Sequence, residues 1–300
     1  MQHLQLIWFI FGLIVVGAIF GICGIGIMLF AWLKRATGWL IGKDSDLWEP
    51  FPRGPRFWNW LIYATLRAFL PVEVRISGKK SLQRLDPRGR AIVFANHPTE
   101  IEFPLCYRLM FEHIPLAMLS TQAGWNRYLI MGPLFDLAGS AILLRRAKDG
   151  YNAGEGRTDL RDGLRKLFAP GKSLTIHPDS SRPSPSRIHV RNEKYGTDFR
   201  YIVAPRSGGV KTILDHLDEE GIHNVPIVLY TSGFGFRVET KSVTQWFRVR
   251  GKVFFADFDV VSSDSLPRDE QALGVWLGAW ASGCDSKLHG AAIHNGFAPE

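Results

Sequence analysis

The stretch AIVFANHPTEIEFPL, Ala91 to Leu105, ends an apolar run on Asn96-His97-Pro98 and then places carboxylates at Glu100 and Glu102. A histidine titrates near neutrality and can take a proton from an alcohol. It does so best when a carboxylate holds its other ring nitrogen. Glu102, five residues on in the same loop, can reach it. A second polar cluster, TIHPDSSRP, brings His177, Asp179, Ser181 and Arg182 to the end of another apolar run. Arginines at 145, 146, 182 and 206 can grip a phosphate with two parallel hydrogen bonds. Together these groups suit one reaction type: a base-activated hydroxyl of a phosphate-bearing molecule attacking an activated acyl group.

Such groups need elements to hold them in one place. VEVRIS (Val72 to Ser77) alternates as a strand does, and AIVFA reads as a central strand buried on both faces. A mixed segment runs from Glu102 to Met131. SAILL (Ser140 to Leu144) and SLTI (Ser173 to Ile176) are further strands. Between them Thr158 fits a helix cap, Leu160, Leu164, Leu167 and Phe168 share a face, and Pro170-Gly171 stops the helix. A helix over Val210 to Leu217, the strands VPIVLYT and KVFFADFDV, and a final helix with Leu273, Trp276, Leu277 and Trp280 on one face complete the pattern. DSSRPSPSR reads as a loop. Alternating strands and helices predict an α/β fold with a mostly parallel central sheet flanked by helices. Ligands of open α/β sheets collect at the carboxyl ends of strands. FANHPTEIE, TIHPDSSRP and AILLRR would then share a cleft if their strands are neighbours.

Ahead of that domain, Leu6 to Leu33 carries no charged side chain. As a helix the run would extend about 42 Å, against a hydrocarbon core of about 30 Å. It fits a tilted transmembrane helix, or a hairpin in one leaflet bending at GICGIG. The first charges, Lys34 and Arg35, predict that the remainder lies on the cytoplasmic side of the inner membrane. Residues 36–70 mix Trp39, Trp48, Trp58 and Trp60 with Arg53, Arg56 and Arg67, as an interfacial segment or a helix packed on the main domain would. The expected organisation is an anchor over 1–35, an interfacial segment over 36–70 and a catalytic domain over 71–300. The formal net charge of +8 suits an anionic partner such as a phospholipid surface. No recognised nucleic-acid module accompanies it. The three cysteines, at 23, 106 and 284, are scattered and fit neither a disulfide framework nor a metal site.

At this level the sequence resembles the lysophospholipid acyltransferases, in particular the 1-acylglycerol-3-phosphate acyltransferases. Their first motif, Asn-His, four residues and Asp, is similar to NHPTEIE, with Glu102 at the acid position. Their second, Gly followed by apolar residues and Arg, is similar to GSAILLRR, with Gly139 and Arg145. HPDSSR resembles Phe-Pro-Glu-Gly-Thr-Arg, with His177 for the aromatic, Asp179 for the glutamate and Ser180 for the glycine. VPIVLY carries the proline of the fourth, Pro226. FRYIVAPRSGGVKTIL, with Pro205, Arg206 and Gly208, and the terminal LPRDEQALGVWLGAWASGCDSKL resemble the branch with an extended C-terminus. The likeness covers about Pro71 to Leu288.

The resemblance implies His97 as general base and Glu102 as its orienting acid. It implies Asn96, Arg145, Asp179, Ser181, Arg182 and Arg206 on the acceptor side, with Arg145 at its phosphate. The donor would be acyl-CoA or an acyl carrier protein, with no metal or redox cofactor. The acceptor would be a lysophospholipid such as lysophosphatidate, met at a phospholipid membrane. The changes at Glu102, His177 and Ser180 leave two alternatives: a non-catalytic lipid-binding relative, or a transferase for a non-glycerol lyso-lipid. Glu100 reads as a solvated loop residue, Arg146 also fits a surface charge, and SGKK (Ser77 to Lys80) has no companion motif for a Ser-Lys hydrolase.

Overall fold

A computed structural model of the protein describes residues 72–86, 89–97, 153–168, 173–236 and 249–297. It also describes the strands at 117–122 and 141–144, and residues 11, 18, 26, 102, 105, 106, 109, 110, 112 and 114. Among the described residues seven strands form one sheet: β1 (Glu73–Ser77), β2 (Ala91–Ala95), β3 (Ala117–Gln122), β4 (Ala141–Leu144), β5 (Ser173–Ile176), β6 (Pro226–Gly233) and β7 (Val253–Ser262). The helices are α1 (Lys79–Leu82), α2 (Ala153–Leu167), α3 (Pro185–Tyr195), α4 (Ser207–Glu219) and α5 (Glu270–His294).

The strand order is β1-β7-β6-β2-β5-β3-β4. β2, β3, β4, β5 and β6 are mutually parallel. β7 runs antiparallel to β6, and β1 runs parallel to β7, so the last pair is reversed against the rest. The α/β fold with a mostly parallel sheet is therefore present. The reversal of β1 and β7 is not visible in the sequence, because residue periodicity is the same in both directions.

β2 is central, and all five of its residues are buried. Ile92 and Phe94 pack on one face against Val210, Ile213, Leu214 and Leu217 of α4 and Leu273 and Leu277 of α5. Val93 and Ala95 pack on the other against Leu105, Cys106, Leu109 and Met110. The backbone at those four residues is helical, so a helical segment follows the β2 loop on that face. A third cluster joins Phe199, Tyr201 and Ile202 to Ala281, Cys284 and Leu288 of α5.

This arrangement makes a crevice. The chain leaving β2 goes to the face of Val93 and Ala95. The chain leaving the adjacent parallel strand β5 goes through α3 to α4, on the opposite face. Neighbouring strands whose exits part in this way open a cleft beyond their carboxyl ends.

Three sequence expectations need correction. α2 begins at Ala153, ahead of Thr158. SRPSPSR is only partly a loop: Ser184 caps α3 by accepting from the Arg187 N–H at 3.4 Å, and Pro185 takes the first helical position, where a missing N–H costs nothing. The mixed segment contains β3, which inserts between β5 and β4. AILL is consequently no neighbour of β2 or β5. With strands about 4.8 Å apart, β4 lies roughly 14 Å from β2. Arg145, Arg146 and Gly139 lie outside the described residues, as do Glu100, segment 36–70 and most of the run Leu6–Leu33. Among the described residues no helix is long and apolar enough to cross a membrane.

Candidate active site

Asn96 follows β2 directly. Its side chain acts as one more rung of the sheet. Asn96 Nδ2 donates to the Ser232 carbonyl at 3.0 Å, and the Ser232 N–H donates back to Oδ1 at 2.8 Å. A buried amide needs such partners, and both ends of this one have them. The rung fixes where the chain leaves the sheet, and the next residue is His97.

His97 is half-buried and held by the turn after β5. Its backbone N–H donates to Asp179 Oδ2 at 2.7 Å. Its ring stacks on His177, with centroids 4.6 Å apart and planes at 30°. The His177 ring is itself fixed, because Nδ1 lies 3.0 Å from the Ala95 carbonyl oxygen. A carbonyl only accepts, so Nδ1 carries the hydrogen. Burial pulls the His177 pKa down to about 4, and the positive charge of Arg182 adds to that. At pH 7 this ring is neutral.

Asp179 is 2 % exposed. Burial raises its carboxyl pKa well above the ordinary value, against the opposing pull of the His97 N–H and of Arg191. Its second oxygen, Oδ1, is buried and has no hydrogen-bond partner among the described residues. The turn that carries it bends sharply. The Ser180 N–H donates to the His177 carbonyl at 2.8 Å, and Ser180 has φ 56°. That left-handed conformation is one a glycine adopts without steric cost, and a serine here must be supported in it. Here Arg191 supports the serine: Nη2 reaches Ser180 Oγ at 3.4 Å and Nη1 reaches the Tyr195 hydroxyl at 3.1 Å.

Glu102 is 5 % exposed. Its Oε1 accepts from the Phe234 N–H at 2.8 Å, just past the end of β6. Its carbonyl accepts from the Cys106 N–H at 2.9 Å, which ties it to the helical backbone at Cys106. Gly233 makes room for the carboxylate. A Cβ at Gly233 would lie 2.7 Å from Glu102 Oε1 and 2.8 Å from Leu288 Cδ2.

Three more of the expected residues sit around this group. Ser181 Oγ is 3.5 Å from the Asp179 carbonyl oxygen, and Arg182 is half-buried near His177. Arg206 is exposed, and its N–H donates to the Pro178 carbonyl at 2.8 Å, so its loop joins the same turn. Burial lowers the Arg191 pKa, and the nearby charge of Arg206 adds to that. Asn96, His97, Glu102, Asp179, Ser181, Arg182 and Arg206 thus converge on the carboxyl ends of β2, β5 and β6.

Sequence reasoning missed several supports. Asp285 of α5 accepts from the N–H groups of Arg200 and Tyr201 at 2.9 and 2.7 Å and so ties down the loop leading to Arg206. Gly233 could have been suspected from the glycines of SGFGF; nothing in the sequence marks Arg191. The thiols of Cys106 and Cys284 are buried and pushed up to about 12, mainly by burial. Both are protonated and serve packing. Among the described residues no group of three or more His, Cys, Asp or Glu side chains could hold a metal ion.

The fold can be compared with known structures. The crystal structure of the 1-acyl-sn-glycerophosphate (LPA) acyltransferase PlsC from Thermotoga maritima superposes with a TM-score of 0.61. The match covers 97 % of this chain and 97 % of that one. The chain has a PlsC-like fold. Sequence identity to PlsC is 9 %, so the likeness is one of fold. No protein-family model and no curated protein matches the sequence.

Proposed function

We propose that this protein is an acyltransferase that moves a fatty acyl group from an acyl thioester to the hydroxyl of a lysophospholipid such as lysophosphatidate. The observation that carries the reading is the position of His97. It stands at the carboxyl end of the central strand, in the crevice where β2 and β5 diverge, held by Asp179 and stacked on His177, with buried Glu102 at the end of neighbouring β6 and Arg182 near the His177 ring. The likeness to PlsC, itself a 1-acyl-sn-glycerophosphate acyltransferase, supports the reaction class.

In this reading the acceptor hydroxyl gives its proton to His97 as its oxygen attacks the thioester carbonyl. The Glu102 carboxylate orients the imidazole and stabilises the charge it gains. When the tetrahedral intermediate collapses, the C–S bond breaks and the imidazolium returns the proton to the departing thiolate. Arg182 and Arg206 hold the phosphate of the acceptor, and the motif resemblance assigns Arg145 to the same phosphate. The donor is acyl-CoA or an acyl carrier protein, and no metal or redox group takes part. The Leu6–Leu33 run keeps the enzyme at the inner membrane with the catalytic domain on the cytoplasmic side.

The test is turnover of purified full-length protein with labelled acyl-CoA or acyl carrier protein. The acceptors are a panel of glycerol and amino-acid-derived lysolipids. Transfer to a glycerol acceptor, lost by at least 100-fold in His97→Ala, is the expected result. Full turnover in His97→Ala would remove His97 as the base. Saturable lysolipid binding without transfer from any donor would favour a non-catalytic lipid binder.

A further inference from the structure

We propose that His177 and Asp179 are positioning residues that form a two-point clamp on His97, one holding its ring and the other its main chain. This deepens the acyltransferase reading and rests on it for the role of His97.

Three observations lead to the clamp. His97 is the second residue past a strand end, where a chain can swing. The structure restrains it twice, and both restraints come from one turn. The Asp179 carboxyl takes the His97 N–H at 2.7 Å, and the His177 ring covers the His97 ring at 4.6 Å. Neither restraint is itself free to move. His177 is pinned to the Ala95 carbonyl, the last residue of the strand that carries His97. Asp179 is 2 % exposed, leaving its carboxyl almost no surface to offer a phosphate or a glycerol hydroxyl. The turn is braced in its left-handed form by the Arg191 contact to Ser180 and by the Arg206 N–H on the Pro178 carbonyl.

The chemistry of each residue fits holding rather than reacting. A neutral His177 can stack on a histidine that becomes a cation during proton transfer without repelling it. A phenylalanine would keep the flat ring in this packed site while giving up the bond to the Ala95 carbonyl, so the property it tests is the stacking plane. Asp179 lies in a site that favours its uncharged form. What the His97 N–H needs is an oxygen acceptor, which an asparagine also supplies. A carboxylate that gripped substrate through its charge would not tolerate that change.

These properties separate the clamp from substrate binding. Asp179→Asn and His177→Phe keep the acceptor and the stacking plane, and each should retain turnover within about 3-fold of wild type. Asp179→Ala and His177→Ala remove them. Each should lower kcat by about 10- to 100-fold, the scale set by small misplacement of a catalytic group, with KM for the acceptor within about 2-fold. The clamp is also read without turnover. In protein labelled with ¹³C-histidine, the His97 ring resonance is assigned by its loss in His97→Gln. It should hold its position in the two conservative variants and move in the two alanine variants, for which an unchanged melting temperature shows a folded chain. If Asp179→Asn is as damaging as Asp179→Ala, with the acceptor KM raised in both, Asp179 binds substrate and the clamp is wrong. If the alanine variants leave the His97 resonance in place, the clamp is also wrong. Wild-type protein that transfers no acyl group refutes the acyltransferase reading alone, while the resonance still decides the clamp.

Discussion

Glu102 shows how closely one residue's chemistry depends on a neighbour with no side chain. Its carboxylate fits beside Phe234 only because Gly233 has no Cβ. Gly233→Ala would place a methyl 2.7 Å from Oε1 and 2.8 Å from a methyl of Leu288, inside normal contact on both sides. Overpacking of this kind costs about 1–3 kcal/mol. The expected outcome is a lower melting temperature with turnover reduced at least 10-fold. Turnover equal to wild type would show that the Glu102 carboxylate need not keep its place. His177 gives a pH prediction. Its folded pKa of about 4 lies below the usual 6.5, because burial disfavours the cation. Between those values the unfolded chain binds more protons, so stability rises with pH through the window and falls as pH drops from 6.5 to 4. The loss attributable to His177 approaches roughly 3 kcal/mol at the acid end. Asp179 works in the opposite sense: its raised pKa means the folded state holds the proton more firmly, and that contribution is lost as pH rises. His177→Phe should therefore flatten the fall in melting temperature between pH 6.5 and 4, and an unchanged slope would mean the ring is not held neutral.

At the scale of elements, α5 is the beam on which the site's outer loop rests. It runs twenty-five residues, starts at an Asp269 cap that accepts from the Ala272 N–H at 2.8 Å, and reaches β6 where Cys284 meets Thr231. Asp285, one residue on, takes two backbone N–H groups of the 199–206 segment that ends at Arg206. Arg200 is exposed but Tyr201 is buried, and leaving a buried donor without its partner costs about 1–3 kcal/mol. Asp285→Ala should lower stability by about that amount and speed proteolytic cutting between Phe199 and Arg206. It should also raise the acceptor KM through a displaced Arg206, with kcat changed less. Equal proteolysis rates in the two proteins would show that other contacts hold the loop. The crevice is likewise a property of elements. β2 and β5 are neighbours, and their exits pack against opposite faces of the sheet.

For the whole molecule, the proposed function raises the question of how the domain over 71–300 would meet a lipid. Leu6–Leu33 has no charge, and Lys34 and Arg35 follow it. Removing residues 1–35 should move the protein from the membrane pellet to the supernatant. If interfacial segment 36–70 adds its own affinity, the truncated protein should remain partly bound and leave in high salt, as charge-driven contacts do. Full retention of the truncated protein at high salt would place the anchor elsewhere.

Read alone, the sequence determines the apolar character of AIVFA and SLTI, the polar residues that end them and the uncharged N-terminal run. Burial and residue spacing are local properties, and each leaves a periodic trace. It also points to His97 and Glu102 as a pair of interest, since they lie on one short loop. Other features were decided only when the chain folded. β3 hid in a mixed segment, and its insertion separates AILL from β2. The direction of β7 depends on how its connection runs, which no periodicity records. Arg191, Gly233 and Asp285 matter because of residues 11, 131 and 85 positions away. The partner of the His97 N–H lies 82 residues on. Sequence patterns carry which residues can be buried or can react; only packing in three dimensions brings a carboxyl from one strand end to the backbone of another.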